Sequence, residues 1–305
     1  MKIKDNKVKN PIKLALSVMV TSFIGIYAWM ILLHVGVQVY ESKKLGSREL
    51  GKTVSDQLFN NNTTLAIVSY VVMEIIIVLI AVFMVKRFNK ESFKLEHIGM
   101  KFSKNSIKNI LSGFAIVSIM YILLYSSMLL FRIVDYKGYG FSNQSPLYMV
   151  GTVLLVLITT AFPGFCEEIV FRGVIQNYLM KKYSTTVAII VSSLCFSILH
   201  VGRYSDLMSL FTIVIIGITL GYIFAKTKSL YLSIGIHFAW DFLGSIIGVG
   251  KSMFNTNLLI NFENIKNGDF IANLMTIVLF IGLFIVIKFI YKKYNTKDSL
   301  EKNAI

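Results

Sequence analysis

Long apolar runs constrain this chain more than any other feature of its sequence. Several stretches of about 20 residues hold almost no charged side chain, and 55% of all residues are hydrophobic whereas 15% are charged. About 20 helical residues cross the hydrocarbon core of a bilayer, which is about 30 Å thick. Lipid offers the backbone no hydrogen-bond partner, so runs of this length span a membrane as helices. The sequence therefore predicts an all-α fold, a polytopic membrane helix bundle.

About eight transmembrane helices account for the apolar runs. The predicted spans cover approximately residues 14–38, 65–85, 108–131, 147–180, 186–201, 208–225, 229–249 and 271–290. The fourth span is too long for one straight helix, and Pro163-Gly164 inside it predicts a break or a kink. Nine apolar pieces instead of eight is the open alternative. The polar, asparagine-rich connection 41–64 predicts an exposed loop.

The net charge of +15 is distributed in the way that orients a membrane protein. The basic residues lie in the N-terminus, in the C-terminal tail and in connections such as 86–108, which fall on one side of eight alternating spans. An excess of Lys and Arg marks the cytoplasmic side of a membrane. The sequence therefore predicts a multi-pass protein of the plasma membrane with both termini in the cytoplasm. We expect membrane lipids as partners and no nucleic acid.

Three regions follow from this division of the chain. Residues 1–146 form an N-terminal three-helix membrane region, residues 147–250 a helix core, and residues 251–305 the last transmembrane helix with a basic cytoplasmic tail. The two cysteines, Cys166 and Cys195, both lie in apolar runs and give no disulfide framework. We find no internal repeat and no separate soluble domain.

Ionisable side chains occur inside three of the later spans. Such groups are costly in a bilayer and face a protein interior or a wet cavity, so each of them predicts a functional site. The candidates are Glu167, Glu168, Arg172, His200, His237 and Asp241. A lone acid in the second span, Glu74, is interpreted as a helix–helix contact or a cavity group.

Spacing sorts these residues into pairs. Residues four apart share one face of a helix, so Glu168 and Arg172 are expected to form an ion pair. Glu167 points about 100° away from Glu168 and has no partner within its own helix. His237 and Asp241 are also four apart, so both side chains can converge on one water molecule or one metal ion.

The three segments together resemble a known family. Glu-Glu-x-x-x-Arg at 167–172, Phe-x-x-x-His at 196–200 and His-x-x-x-Asp at 237–241 are similar, in this order, to the three motifs of the CAAX prenyl protease and bacteriocin-processing family of intramembrane proteases. The resemblance covers roughly residues 147–250. The family's third motif ends in Asn or Asp, and the sequence leaves open whether Asp241 acts charged or neutral.

The resemblance implies an endopeptidase that cuts a lipidated, leader-bearing or membrane-embedded substrate. Peptide hydrolysis needs an activated water and a stabilised oxyanion. In this interpretation Glu167 is the general base, and His200 orients the water or stabilises the oxyanion. His237 and Asp241 hold the same water or bind a metal ion.

Zinc is the cofactor that this set of residues suits, because zinc accepts His nitrogen and carboxylate oxygen ligands. Glu167, His200 and His237 would be three ligands, with Asp241 as a fourth or as a hydrogen-bonding neighbour. Glu168 would then be the candidate base. The sequence does not choose between this zinc site and a metal-free glutamate mechanism.

Two non-proteolytic functions compete with this prediction. A membrane immunity or regulatory protein on the same scaffold, as in bacteriocin immunity, would have no need for the complete set of polar residues. A transporter with a Glu/His proton relay would be expected to show related halves, and the polar residues crowd into the second half instead.

Overall fold

The computed structural model describes residues 10–89, 93–142, 144–201, 203–204, 206–249, 259–265 and 267–302. Residues 1–9 and 90–92, which carry part of the basic charge used to predict the orientation in the membrane, therefore lie outside the described residues. The helices are α1 (Pro11–Leu45), α2 (Arg48–Asn61), α3 (Thr63–Asn89), α4 (Lys104–Leu130), α5 (Pro146–Glu168), α6 (Asn177–Met180), α7 (Thr185–Leu199), α8 (Leu207–Thr227), α9 (Tyr231–Ile246) and α10 (Gly268–Lys302). A 3-10 turn, Leu95–Ile98, precedes α4, and a π-helical segment, Ile169–Gln176, joins α5 to α6.

The prediction of an all-α membrane bundle is confirmed. Within the described ranges, six helices are long and apolar enough to cross a membrane: α1, α3, α4, the continuous helix from α5 to α6, α8 and α10. Two shorter helices, α7 with 15 residues and α9 with 16, complete the bundle. Helix α7 packs against α8, and α9 packs against α4 and α5. Each predicted span coincides with one of these eight helical elements.

The predicted loop at 41–64 is wrong, because most of it is helical. Helix α1 continues to Leu45, Gly46 turns the chain with a φ of 65°, and α2 begins after Ser47. The Ser47 hydroxyl accepts a hydrogen bond from the Leu50 amide at 3.3 Å, which caps the new helix. Gly51 and Ser55, four residues apart, are buried on the face that packs against α1. The polar side chains of α2 lie mainly on the face that points away from α1.

A small sheet supplements the helices. Its strands, β1 (Val134–Gly138), β2 (Ile247–Val249) and β3 (Ile260–Asn264), lie in the order β1-β3-β2. Strand β1 pairs antiparallel with β3, and β2 pairs parallel with it. The sheet was not predicted, because strands of three to five residues between spans leave no readable alternation. It ties the end of α9 to the chain segments that follow α4 and precede α10.

The break predicted at Pro163-Gly164 is wrong. Helix α5 continues through both residues to Glu168, and Pro146–Met180 form one helix of 35 residues, so the alternative of nine pieces is wrong as well. In a membrane helix, neighbouring helices compensate for the hydrogen bond that proline removes. The irregularity lies one turn later, in the π-helical segment, a geometry that occurs often at functional sites.

Glycines let α9 approach its neighbours closely. A Cβ on Gly113 of α4 would lie 2.6 Å from the Gly235 carbonyl carbon, and a Cβ on Gly235 would collide with the Ile110 carbonyl oxygen. On the other side of α9, a Cβ on Gly164 would lie 2.9 Å from Cβ of Phe238. Helix α9 is therefore held between two backbones.

We expect Gly235→Ala to destabilise the protein, because the added methyl group overpacks the α4–α9 contact at a cost of about 1–3 kcal/mol. The apparent Tm of the purified protein in mild detergent measures this effect. Gly36→Ala in α1 is the matched control, because a Cβ there has no heavy atom within 4 Å. A Gly235→Ala variant that is as stable as Gly36→Ala would contradict the close contact.

Candidate active site

Three helices bring the six predicted site residues together. Glu167 and Glu168 end α5, and Arg172 follows in the π-helical segment. His200 follows the last residue of α7, while His237 and Asp241 lie on successive turns of α9. All six line or support one buried polar centre inside the bundle. The structure thus places the three motifs together, as the sequence predicts.

Glu168 is the structural anchor of this centre. Its Oε1 accepts a hydrogen bond from Nη1 of Arg172 at 2.7 Å and another from Nδ1 of His237 at 3.0 Å. Both Glu168 and Arg172 are fully enclosed, with 0% and 1% of their surface exposed. Arg172 also stacks over the Phe196 ring at 4.4 Å and donates to the Gly217 carbonyl at 3.4 Å. The ion pair predicted from the spacing therefore forms, and it also orients His237.

The hydrogen bonds fix which ring nitrogen of each histidine faces the centre. Nδ1 of His200 lies 2.8 Å from the carbonyl oxygen of Phe196, which can only accept, so Nδ1 carries the hydrogen. Nδ1 of His237 donates to Glu168 in the same way. Both Nε2 atoms are left to face Glu167, at 3.9 Å from His200 and 3.5 Å from His237.

The four inward-facing groups enclose a small cavity of about 70 Å³. Glu167, His200, His237 and Asp241 line it, and Asp241 Oδ2 lies 3.6 Å from Nε2 of His237. Oε2 of Glu167 is buried and makes no hydrogen bond to the part of the chain that the structure describes. A polar cavity of this size with several acceptors and donors suits one or two water molecules.

A second cavity, of about 470 Å³, adjoins the small one. Its walls are mostly apolar side chains of α1 and α3, such as Phe23, Met30 and Ile77. Four residues line both cavities: Tyr70, Glu167, His200 and Arg203. The large cavity therefore leads directly to Glu167, and an apolar segment bound in it would lie beside the polar centre.

The sequence analysis missed Tyr70 and Arg203. Nη1 of Arg203 donates to the Tyr70 hydroxyl at 3.1 Å, and the guanidinium lies 5.6 Å and 5.5 Å from the centres of the Tyr70 and Tyr204 rings. The only signal in the sequence is that Arg203 comes three residues after His200. Glu74, interpreted as a helix contact or a cavity group, lines the large cavity.

The predicted metal ligands were tested against the geometry of a zinc site. Zinc binds nitrogen and oxygen ligands at about 2.0–2.2 Å, and a catalytic site needs three of them from the protein. Among the residues that the structure describes, no group of three His, Cys, Asp or Glu side chains has an arrangement that could hold a metal ion. The four groups therefore do not fit zinc in this conformation. Zinc at this site stays a prediction.

The fold and the site define a class, namely a multi-pass membrane protein in which carboxylates and histidines meet inside the helix bundle. Residues 149–243 match the family described as Type II CAAX prenyl endopeptidase Rce1-like. All three motifs and all six site residues lie within the matched region. The match confirms the family resemblance that the motifs predict, and it supports a membrane protease.

Two bacterial proteins are similar to the same part of the chain. YdiL of Bacillus subtilis (strain 168), named as a candidate membrane peptidase, is 29% identical over 110 residues, which are 34% of this chain and 43% of YdiL. The UPF0177 protein YvdC of Lactococcus lactis subsp. lactis (strain IL1403) is 28% identical over 111 residues, which are 35% of this chain and 41% of YvdC. The chain thus aligns with less than half the length of each relative.

Proposed function

We propose that this protein is an intramembrane endopeptidase that hydrolyses peptide bonds with a water molecule activated by Glu167. The observation that carries the proposal is the water-sized cavity between two carboxylates and two histidines, which opens into a large apolar cavity. In this proposal the attacking water, the base Glu167 and the substrate site in the large cavity are therefore adjacent. From the basic connections between its spans, we place the protein in the plasma membrane with both termini in the cytoplasm.

The mechanism follows from the arrangement of donors and acceptors. Glu167 takes a proton from water, and the water oxygen forms a bond to the peptide carbonyl carbon, which leaves a tetrahedral oxyanion. His237 and His200 face the same cavity through Nε2 and orient the water. Glu167 then gives its proton to the peptide nitrogen as the C–N bond breaks, and the carboxylate is restored. General acid–base catalysis of this kind contributes about 10²–10⁴-fold to a rate.

Glu168 and Arg172 do not line the small cavity, but they contact the residues that do. Glu168 receives the Nδ1 hydrogen of His237, which fixes the tautomer and the orientation of the ring. Arg172 donates a hydrogen bond to Oε1 of Glu168 and holds the carboxylate in place. We propose both as positioning residues rather than as groups that touch the substrate.

The large cavity indicates the chemistry of the substrate. Its lining is mainly apolar, so it suits a lipid-modified peptide or a stretch of a membrane-embedded protein. A leader-bearing peptide would have to present an apolar segment to reach Glu167.

The proposal is tested with the protein in liposomes and three fluorogenic reporters: a prenylated peptide, a leader peptide and a single membrane span. We expect cleavage of at least one, and a fall in kcat/KM of about 10²-fold or more in His237→Ala. His97→Ala is the matched control, because His97 is exposed and lies outside the centre. Equal cleavage by both variants, or none by the wild type, would contradict the proposal.

A chelator in the same assay tests the predicted zinc. For the metal-free mechanism we expect unchanged cleavage after prolonged treatment. Loss of activity that added zinc restores would establish a metal site, in which Glu167, His200, His237 and Asp241 close around the ion.

A further inference from the structure

The polar centre has an excess of negative charge for a site that must stabilise an oxyanion. Glu167, Glu168 and Asp241 all lie within 3.6 Å of a ring nitrogen of His237. The cation Arg172 is bound to Glu168 and lies outside the lining of the small cavity. A carboxylate at position 241 cannot donate a hydrogen bond while it is ionised, and it repels a developing negative charge. With Asp241 ionised, a positive group on the cavity side would offset this charge and stabilise the oxyanion.

Arg203 lies where such a group is needed. It lines both the small cavity and the large one, as do Glu167 and His200, so it lies at the junction to which the proposed mechanism brings the peptide carbonyl. Tyr70, from α3, accepts the hydrogen bond from Nη1, and the Tyr204 ring lies beside the guanidinium. Tyr70, together with Tyr204, the next residue in the chain, thus contacts the arginine where the linings of the two cavities overlap.

Arg203 stays protonated in this position. Burial acts to lower the pKa of its guanidinium, but the electrostatic effects of Tyr70, Tyr204 and Asp241 outweigh burial and raise the pKa above its ordinary value. Arg203 is therefore a permanent cation at any working pH, and Asp241 lines the same small cavity.

We propose that Arg203 is a further catalytic residue, whose guanidinium stabilises the oxyanion of the tetrahedral intermediate and offsets the charge of Asp241. This inference rests on the proposed function. Tyr70 is a positioning residue that holds the guanidinium through its hydroxyl. Arg203 and Asp241 then act together. The cation is needed because position 241, the last residue of the third motif, is an acid.

Arg203→Gln tests the role of the charge. We expect kcat to fall by about 10²–10³-fold with little change in KM, which is typical of the loss of one oxyanion-stabilising donor. Arg203→Lys, which keeps the charge, should retain a larger share of the activity. Arg87→Gln, at an exposed arginine at the end of α3, is the matched control and should leave kcat unchanged. Apparent Tm values of all variants reveal any loss of folding.

A double-mutant cycle separates catalysis from structure. Asp241→Asn in the Arg203→Gln background should raise kcat by about tenfold or more, whereas Asp241→Asn alone should change it much less, because coupled groups are not additive. Full activity of Arg203→Gln, or additive effects of the two substitutions, would overturn the role of Arg203 while Glu167-dependent cleavage persists. A wild-type protein without Glu167-dependent cleavage would overturn the proposed function, and this inference with it.

Discussion

Replacing Glu167 by glutamine is expected to lower kcat for peptide cleavage by about 10³-fold, because it removes the group that accepts the proton of the attacking water. Glutamine has nearly the same shape and keeps one oxygen, so the packing around the small cavity should survive. The buried Oε2 of Glu167 makes no hydrogen bond to a described residue, and its ion-pair contact with Nε2 of His237 is 3.5 Å long, so little structural stabilisation is lost with it. Single-turnover cleavage of the reporter in liposomes measures the effect.

Two comparisons make this result specific. Glu96→Gln, at an exposed acid in the 3-10 turn, controls for the loss of a negative charge and should leave kcat unchanged. An unaltered apparent Tm of Glu167→Gln would exclude unfolding as the cause. Cleavage by Glu167→Gln at the wild-type rate would refute the assigned base and the mechanism built on it.

The largest effect on stability is expected from Arg172→Met. Breaking a buried ion pair by removing one partner leaves an uncompensated charge and costs about 3–5 kcal/mol. In this variant Glu168, which is 0% exposed, would keep only His237 as a hydrogen-bond donor among the described contacts. The free energy of unfolding, measured by titration with a denaturing detergent, should fall accordingly.

A neutral double variant distinguishes the charge from the packing. Glu168→Gln combined with Arg172→Met removes both charges, so it should recover much of the stability, as buried pairs replaced together often do. Cleavage should stay low, because His237 has lost its carboxylate partner. Lys137→Met is the exposed counterpart: its 2.6 Å ion pair with Glu263 lies at the surface, and little change is expected. Equal stability of Arg172→Met and Lys137→Met would contradict the structural role of the buried pair.

The parts of the fold and site that the sequence predicts are those governed by the membrane itself. Apolar runs of this length must be helices, so the eight helical elements could be identified without a structure. A charge inside such a run is costly and indicates a functional group, so the six site residues could be identified as well. The spacing of Glu168 and Arg172 also predicts their ion pair, because helix geometry is local. The bond from His237 to Glu168 joins residues 69 positions apart and could not be predicted from spacing.

The parts that could not be predicted depend on contacts between distant segments or on weak local signals. Arg203 and Tyr70 are 133 residues apart, and the only local signal is the position of Arg203 three residues after His200. Helix α2 has a composition typical of a loop. Its two small buried residues, Gly51 and Ser55, indicate a helix only once their packing against α1 is known. The π-helical segment after Glu168 was likewise not predicted, because Pro163-Gly164 is the stronger local signal and the helix continues through it.

The glycine contacts on both sides of α9 have a consequence for how the site meets its substrate. His237 lies two residues after Gly235 and one before Phe238, the points where α4 and α5 touch the backbone of α9. Because backbone lies so close to backbone there, little space is left for α9 to slide or rotate. In the proposed mechanism these contacts would align the His237 imidazole before a substrate binds, which lowers the entropic cost of the reaction. A peptide would then have to adapt to a fixed centre, so we expect local helix instability at the scissile bond to favour cleavage.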